Sequence, residues 1–185
     1  TTFASTVDAK QITLTDSAAA TVAFQGNTNA STGLTVGAGT AAYNVSLTGA
    51  SNTIAGTTTF ANMGTLALGD GGDTLAFTGG VVATAPSGIS VNGTVTAAGV
   101  GVITLGDADT GVSVGGNTTV GGTGTGAITL GAATLGDGVG LTLRRNLYMK
   151  AARDLSRALS NPALYNPDPA ANGYAPPGVD AAYLA

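Results

Sequence analysis

Short runs of alternating apolar and polar residues dominate the chain from Thr1 to Leu143. The runs are interrupted by Gly, Asn, Asp or Ser every eight to twelve residues, and no segment before Leu143 has a helical period. Alternation with period two places one set of side chains on each face of a β-strand, and Thr suits the exposed face. The pattern predicts roughly 14 to 16 short strands. Examples are 12–14, 21–24, 44–47, 65–68 and 103–105.

The predicted strands repeat imperfectly along the chain. Gly64–Asp70 (GTLALGD) is echoed by Gly101–Asp107 (GVITLGD) and Gly126–Gly131 (GAITLG). The leucines that anchor these and two fainter repeats are unevenly spaced. If one coil takes roughly 20 to 25 residues, the longer gaps between them are one expanded coil or two compressed ones. The anchoring leucines are Leu14, Leu47, Leu68, Leu105 and Leu130.

Repeats of this size are typical of stacked architectures, in which each coil buries its apolar face on its neighbours. The sequence therefore predicts an all-β protein, a parallel β-solenoid of roughly five to seven coils, over residues 1–143. A β-sandwich built from hairpins is the alternative fold.

Small side chains fill this chain to an unusual degree. Ala (33), Gly (30) and Thr (30) make up 93 of the 185 residues, and there are only nine aromatic residues. An interior built from such residues stays free of voids only if the backbones approach closely. Composition thus favours thin stacked layers.

The ionisable side chains exclude much chemistry. The chain has ten Asp and six Lys plus Arg, but no Glu, His, Cys or Trp. Without Cys or His there is no thiol nucleophile, no Ser-His-Asp triad and none of the usual zinc, haem or iron–sulfur ligands. The net charge of −4 argues against nucleic-acid binding, which needs a basic surface. We expect no enzymatic activity and no catalytic residues.

Three segments between Gly64 and Leu143 carry a resemblance to a known family. They are LGDGGDTLAFTGG, VITLGDADTGVSVGG and AITLGAATLGDGVGLTL. This stretch resembles the β-strand repeats of filamentous-haemagglutinin-like and autotransporter-passenger surface proteins of bacteria. The resemblance implies a right-handed parallel β-helix, exported to the cell surface, that acts as an adhesin, matrix component or filament.

The composition changes near Leu143. Residues 1–143 contain one Lys and seven Asp, which gives −6, whereas residues 144–185 contain five basic residues and three Asp, which gives +2. The segment from Leu143 to Ser160 predicts an amphipathic helix, assigned to residues 144–160, that ends before Pro162. Residues 161–185 hold five prolines and predict an extended tail.

Three roles are open for this basic helix. It would cap the open end of the strand stack, connect to the acidic body of another copy, or lie on an anionic membrane. The connector role predicts a homo-oligomer or polymer. Its interface residues would be Arg144, Arg145, Lys150, Arg153, Arg157, Tyr165, Tyr174 and Tyr183.

The aspartates offer two kinds of candidate site. Residues Gly69–Leu75 overlap one copy of a calcium-binding nonapeptide, which makes Asp70 and Asp73 candidate calcium ligands, with Asp107, Asp109 and Asp137 as added carboxylates if the turns stack. Plain turns are the alternative explanation. Otherwise we expect no cofactor. Pairs of carboxylates are also what glycosidases need, but Asp70/Asp73 and Asp107/Asp109 lie in glycine-rich turns.

Function follows from the architecture. We expect a self-associating structural subunit or segment of an extracellular or cell-surface filament, adhesin, surface layer or matrix. The alternatives are a phage fibre or glycan-binding β-helical module, with surface glycans as partners, and, less favoured, a polysaccharide-active enzyme. No run reaches the roughly 18 apolar residues of a membrane helix, so no transmembrane segment is expected.

Overall fold

The computed structural model describes residues 1–15 and 18–145. These residues form sixteen strands and no helix, and every strand pairing is parallel. The predicted parallel β-solenoid is therefore confirmed. The β-sandwich alternative is wrong, because hairpins would make neighbouring strands antiparallel.

The strands are short, and four longer ones bend. Their bounds are β1 Thr2–Phe3, β2 Val7–Leu14, β3 Thr21–Phe24, β4 Thr28–Val36, β5 Asn44–Leu47, β6 Ser51–Ile54, β7 Thr58–Thr59, β8 Thr65–Phe77, β9 Gly80–Ala83, β10 Gly88–Ala97, β11 Val102–Leu105, β12 Val112–Val114, β13 Thr118–Gly121, β14 Ile128–Leu130, β15 Ala133–Leu135 and β16 Leu141–Arg144.

The strands stack into three faces, and each full coil contributes one segment to each face. Face 1 contains β1, β3, β5, the first parts of β8 and β10, β12 and β15. Face 2 contains the first parts of β2 and β4, β6, the second parts of β8 and β10, β13 and β16. Face 3 contains the second parts of β2 and β4, β7, β9, β11 and β14.

The length of a coil varies along the stack. Asp73 pairs with Gly93 and Val95 pairs with Val120, so a coil takes about 20 residues at one level and about 25 at another. The described chain completes about six coils, which lies within the predicted range. The insertions that lengthen a coil lie in the corners between faces.

The interpretation of the leucine spacing is wrong. Leu47 and Leu68 pair on face 1, and Leu105 and Leu130 pair on face 3, so each of these shorter gaps is a single coil. Leu14 lies on face 3, and the two longer gaps, from Leu14 to Leu47 and from Leu68 to Leu105, therefore join leucines on different faces. No expanded or doubled coil is needed to explain them.

Each full coil directs two side chains per face into a shared core. On face 1, Phe3 and Phe24 stack with ring centroids 4.9 Å apart. Phe60 of face 3 meets Phe77 of face 2 edge to face at 6.0 Å. One inward column on face 3 shows how large and small residues alternate through the stack; it contains Leu14, Val36, Phe60, Ala83, Leu105 and Leu130.

The corner between faces 2 and 3 depends on glycine. Gly56, Gly79, Gly101 and Gly126 occupy successive coils there, and a Cβ added at Gly79, Gly101 or Gly126 would overlap the backbone of the glycine one coil earlier. The close approach that composition predicted is realised at this corner. Any larger residue would push two coils apart.

Buried polar side chains serve the backbone at other corners. Asn52 accepts the N–H of Thr28 at 3.0 Å and donates to the carbonyl of Gly49 at 2.6 Å, and its side chain is 1% exposed. Tyr43 is fully buried beneath the long connection from β4 to β5, and its hydroxyl donates to the carbonyl of Gly37 at 2.5 Å. These contacts satisfy carbonyls and amides that no ladder reaches.

The predicted helix is wrong at its start. Leu143 and Arg144 belong to β16, because Leu141–Leu143 continues the alternation and pairs in register with β13. The rest of the predicted helix and the extended tail lie outside the described residues. No described residue belongs to a helix long and apolar enough to cross a membrane.

We expect Thr58→Val to stabilise the protein. Thr58 is fully buried on face 3 beside Val81, and its hydroxyl has no hydrogen-bond partner among the described residues. A buried hydroxyl without a partner costs about 1–3 kcal/mol, so an isosteric methyl should raise the free energy of unfolding by about 1 kcal/mol. Chemical denaturation measures the change. Thr59→Val, at the exposed neighbouring position, is the control and should change it by less than about 0.5 kcal/mol.

Candidate functional site

The Asp70–Asp73 turn is an insertion at the corner between faces 1 and 2. Leu68 pairs with Val91 and Asp73 pairs with Gly93, so four residues of one coil stand opposite Asn92 alone. Gly69 and Gly72 have φ angles of 80° and 75°, a left-handed conformation that glycine adopts without strain. The glycine-rich sequence lets β8 loop out and rejoin its register.

A hydrogen bond within this turn occupies the Asp73 carboxylate. Asp73 is 5% exposed, and its Oδ2 accepts the backbone N–H of Asp70 at 2.7 Å. The Asn92 side chain donates to the carbonyl of Asp70 at 2.9 Å and ties the turn to the next coil. Desolvation, and then the nearby charge of Asp73, raise the pKa of the exposed Asp70 carboxyl above its usual value.

The calcium prediction rests on this pair alone. Calcium takes six to eight oxygen ligands, of which two carboxylates supply only a part. Asp107 and Asp109 lie at the corner between faces 3 and 1, and Asp137 lies between β15 and β16 at the end of the stack, so the turns do not bring these carboxylates to Asp70. Among the described residues, no group of three or more acidic, His or Cys side chains is placed to hold a metal ion.

The Asp107 turn has a local structural role. Asp107 Oδ1 accepts the backbone N–H groups of Asp109 at 3.0 Å and Thr110 at 2.9 Å. The buried Thr110 hydroxyl donates to the carbonyls of Thr84 at 3.0 Å and Pro86 at 2.8 Å. One carboxylate of each pair, Asp73 or Asp107, is therefore bonded to the backbone of its own turn.

The N-terminal end of the stack presents open strand edges. Among the described residues, β1 pairs only with β3 and β2 pairs only with β4. Phe3 is 39% exposed here, and Val7 and Ile12 are half-buried. Unpaired N–H and C=O groups beside apolar side chains make such an edge a template for another strand.

The C-terminal end is open in the same way. Within the described part of the chain, β14, β15 and β16 each pair on one side only, with β11, β12 and β13. Leu135 is 42% exposed and Leu143 is 54% exposed, although both continue inward columns. In the described part of the chain, the two ends are therefore the surfaces where strands pair on one side only and apolar side chains are partly exposed.

The two ends carry different charged side chains. Asp8 and Lys10 lie on β2 at the N-terminal end, and Asp8 Oδ1 accepts the side-chain N–H of Asn29 at 2.6 Å. At the other end, Arg144 is exposed on β16, and the Arg145 Nε donates to the carbonyl of Thr125 at 3.0 Å. The structure thus places two of the predicted interface residues at one end of the stack. The others, Lys150, Arg153, Arg157, Tyr165, Tyr174 and Tyr183, lie outside the described residues.

Asp8 was missed by sequence reasoning. Only strand register shows that Asp8 is on the outer side of an end strand, and the alternation around it is like that of many other strands.

We expect Asp70→Asn to raise the unfolding temperature slightly at neutral pH. Because the pKa of Asp70 is raised in the folded state, ionisation of this carboxyl lowers the free energy of unfolding. The loss disappears as the pH falls below the pKa that Asp70 has in the unfolded chain. Thermal unfolding at pH 7 and pH 3 tests this: the variant should gain only at pH 7. An equal gain at both pH values would contradict the electrostatic cause.

Comparison with protein-family models, curated proteins and solved structures finds no match to this chain.

Proposed function

We propose that the chain is a structural subunit or segment of an extracellular bacterial filament, adhesin, surface layer or matrix, and that copies of it associate with one another. The observation that carries this proposal is the pair of open ends. Among the residues that the structure describes, each end has unpaired strand edges and partly exposed apolar side chains, Phe3 at one end and Leu135 and Leu143 at the other. Association between copies would pair the strand edges and bury these apolar side chains.

Charge supports association between copies. The residues up to Leu143 carry −6 and those after it carry +2, so the basic region of one copy would be attracted to the acidic body of another. Such attraction is screened by salt. The interface would include the basic residues from Arg144 to Arg157 and the tyrosines of the tail.

The state of the acidic side chains supports a structural role over catalysis. Glycosidases need two carboxyl groups facing a substrate, with one pKa raised for acid catalysis. Here the pKa of Asp70 is raised, but its neighbour Asp73 is 5% exposed and accepts a backbone N–H of its own turn, so this pair does not present two carboxyl groups to a substrate. The Asp107 carboxylate also accepts backbone N–H groups of its own turn. The proposed extracellular location has a different basis: it rests on the resemblance of the strand repeats between Gly64 and Leu143 to those of bacterial surface proteins.

Salt should control assembly of the full chain. In about 0.02 M NaCl, where charges are weakly screened, we expect particles larger than a monomer by light scattering and sedimentation, and extended assemblies by electron microscopy. In about 0.5 M NaCl, where the screening length falls to a few ångströms, they should shorten. Monodisperse monomers at all salt concentrations would contradict self-association.

The basic region is tested separately. Lys150→Gln/Arg153→Gln/Arg157→Gln should weaken assembly in low salt, because it removes three positive charges from the proposed interface. Thr59→Gln introduces the same side chain at an exposed position of face 3 away from both ends and is the control. Equal assembly by the triple variant and the wild type would remove these residues from the interface.

A further inference from the structure

The two open ends match each other in strand register. On face 1, one inward column begins at Phe3 and ends at Leu135; its members are Phe3, Phe24, Leu47, Leu68, Val91, Val114 and Leu135. On face 2, the inward column that begins at Val7 ends at Leu143. If the N-terminal end of a second copy were placed on the C-terminal end of the first, both inward columns would therefore continue from one copy into the other.

An outward column on face 2 joins the charged residues of the two ends. It begins at Asp8, which pairs with Asn29, and it ends at Arg144, which pairs with Gly121. Between these two ends the column runs through Thr53, Ala76 and Thr96. Gly121 continues the column, because Val95 pairs with Val120 and the residues that follow them, Thr96 and Gly121, therefore lie opposite each other. The top of this column is therefore basic and its bottom is acidic.

We propose that the C-terminal end of one copy stacks on the N-terminal end of a second copy, with β15 and β16 pairing in parallel with β1 and β2. Leu135 then packs on Phe3, Leu143 packs on Val7, and Arg144 forms an ion pair with Asp8 of the second copy. This rests on the self-association proposed above and names the surfaces that perform it. On face 3 the last described strand, β14, lies one coil earlier, so faces 1 and 2 form the joint.

The geometry makes this ion pair direct. Adjacent strands lie about 4.8 Å apart, so side chains in one column of two stacked strands are neighbours. Asn29 holds the Asp8 carboxylate at 2.6 Å on the same outer surface. An exposed ion pair adds little affinity, but it selects register and orientation, while the apolar columns and backbone hydrogen bonds supply attraction.

The joint is open-ended because its two surfaces are different. A contact between unlike surfaces leaves one free copy of each surface on every oligomer, so addition continues unless the rotation closes a ring. Residues 146–185 of the same chain are the competing occupant, since they follow directly after the described end. If they cover β15 and β16, the protein stays monomeric.

Charge reversal in the full chain tests the joint. Asp8→Arg places a positive charge against Arg144, and Arg144→Asp places a negative charge against Asp8, so each variant alone should associate at least about tenfold more weakly than the wild type. A 1:1 mixture should recover assembly, because each variant then meets the opposite charge on the other. Sedimentation velocity and light scattering at low salt measure both effects. Asp70→Arg, a charge reversal in the exposed corner of β8 in the middle of the stack, should assemble like the wild type.

Other outcomes separate the joint from the function. If the wild type assembles and neither reversal weakens it, the joint is wrong while self-association stands. If the wild type is monomeric under every condition, both fail. If the mixture of reversed variants does not recover assembly although each retains the β-sheet circular dichroism of the wild type, the pairing of Asp8 with Arg144 is wrong. Should a reversed variant misfold, Leu143→Asp replaces it: Leu143 is 54% exposed in the single copy and buried in the joint, so a charge there should abolish assembly, and unchanged assembly would overturn the joint.

Discussion

Backbone hydrogen bonding between successive coils is the constraint on which the rest of this structure depends. The described strands all pair in parallel with strands one coil away, so each residue is positioned by a partner about 20 to 25 places distant in sequence. Small side chains allow the coils to approach, and glycine is required where corners stack, as at Gly101 and Gly126. Where the ladder leaves backbone groups unpaired, a buried side chain such as Asn52 replaces it. The abundance of Ala, Gly, Thr and Asn is thus a consequence of the stack.

The same constraint makes the two ends of the stack the surfaces that can pair with further strands. A ladder satisfies every interior strand twice but its first and last strands only once, and the inward columns end in partly exposed side chains such as Phe3 and Leu143. The open edges attract further strands, whether from another copy or from the rest of the chain. In the described part of the chain, the Asp73 and Asp107 carboxylates bond to the backbone of their own turns, and the ends therefore carry more functional information than the aspartate turns.

Much of the fold could be predicted because strand alternation is local. The strands at Thr21–Phe24, Asn44–Leu47 and Val102–Leu105 follow directly from it. The assignment of leucines to coils was wrong because all of them were taken to occupy the same place in a coil, whereas Leu14 lies on face 3 and Leu47 and Leu68 lie on face 1. The predicted start of the C-terminal helix was wrong because the sequence of Leu141–Leu143 suits a strand as well as a helix, and β13 supplies a strand partner for it.

The sites were predictable only where they are local. The Asp70–Asp73 turn is visible in the sequence because glycine and aspartate lie side by side, but that Asp73 is buried and bonded to the backbone of its own turn depends on the folded corner. Asp8 and Arg144 lie near opposite ends of the described chain, and they share a column only because each coil between them keeps its register. The insertion at Gly69–Gly72 shows how this is achieved: the corner absorbs the extra residues, and Thr74 returns to pair with Thr94. Variable corners with constant register let such a chain change its turns while its faces and ends keep their chemistry.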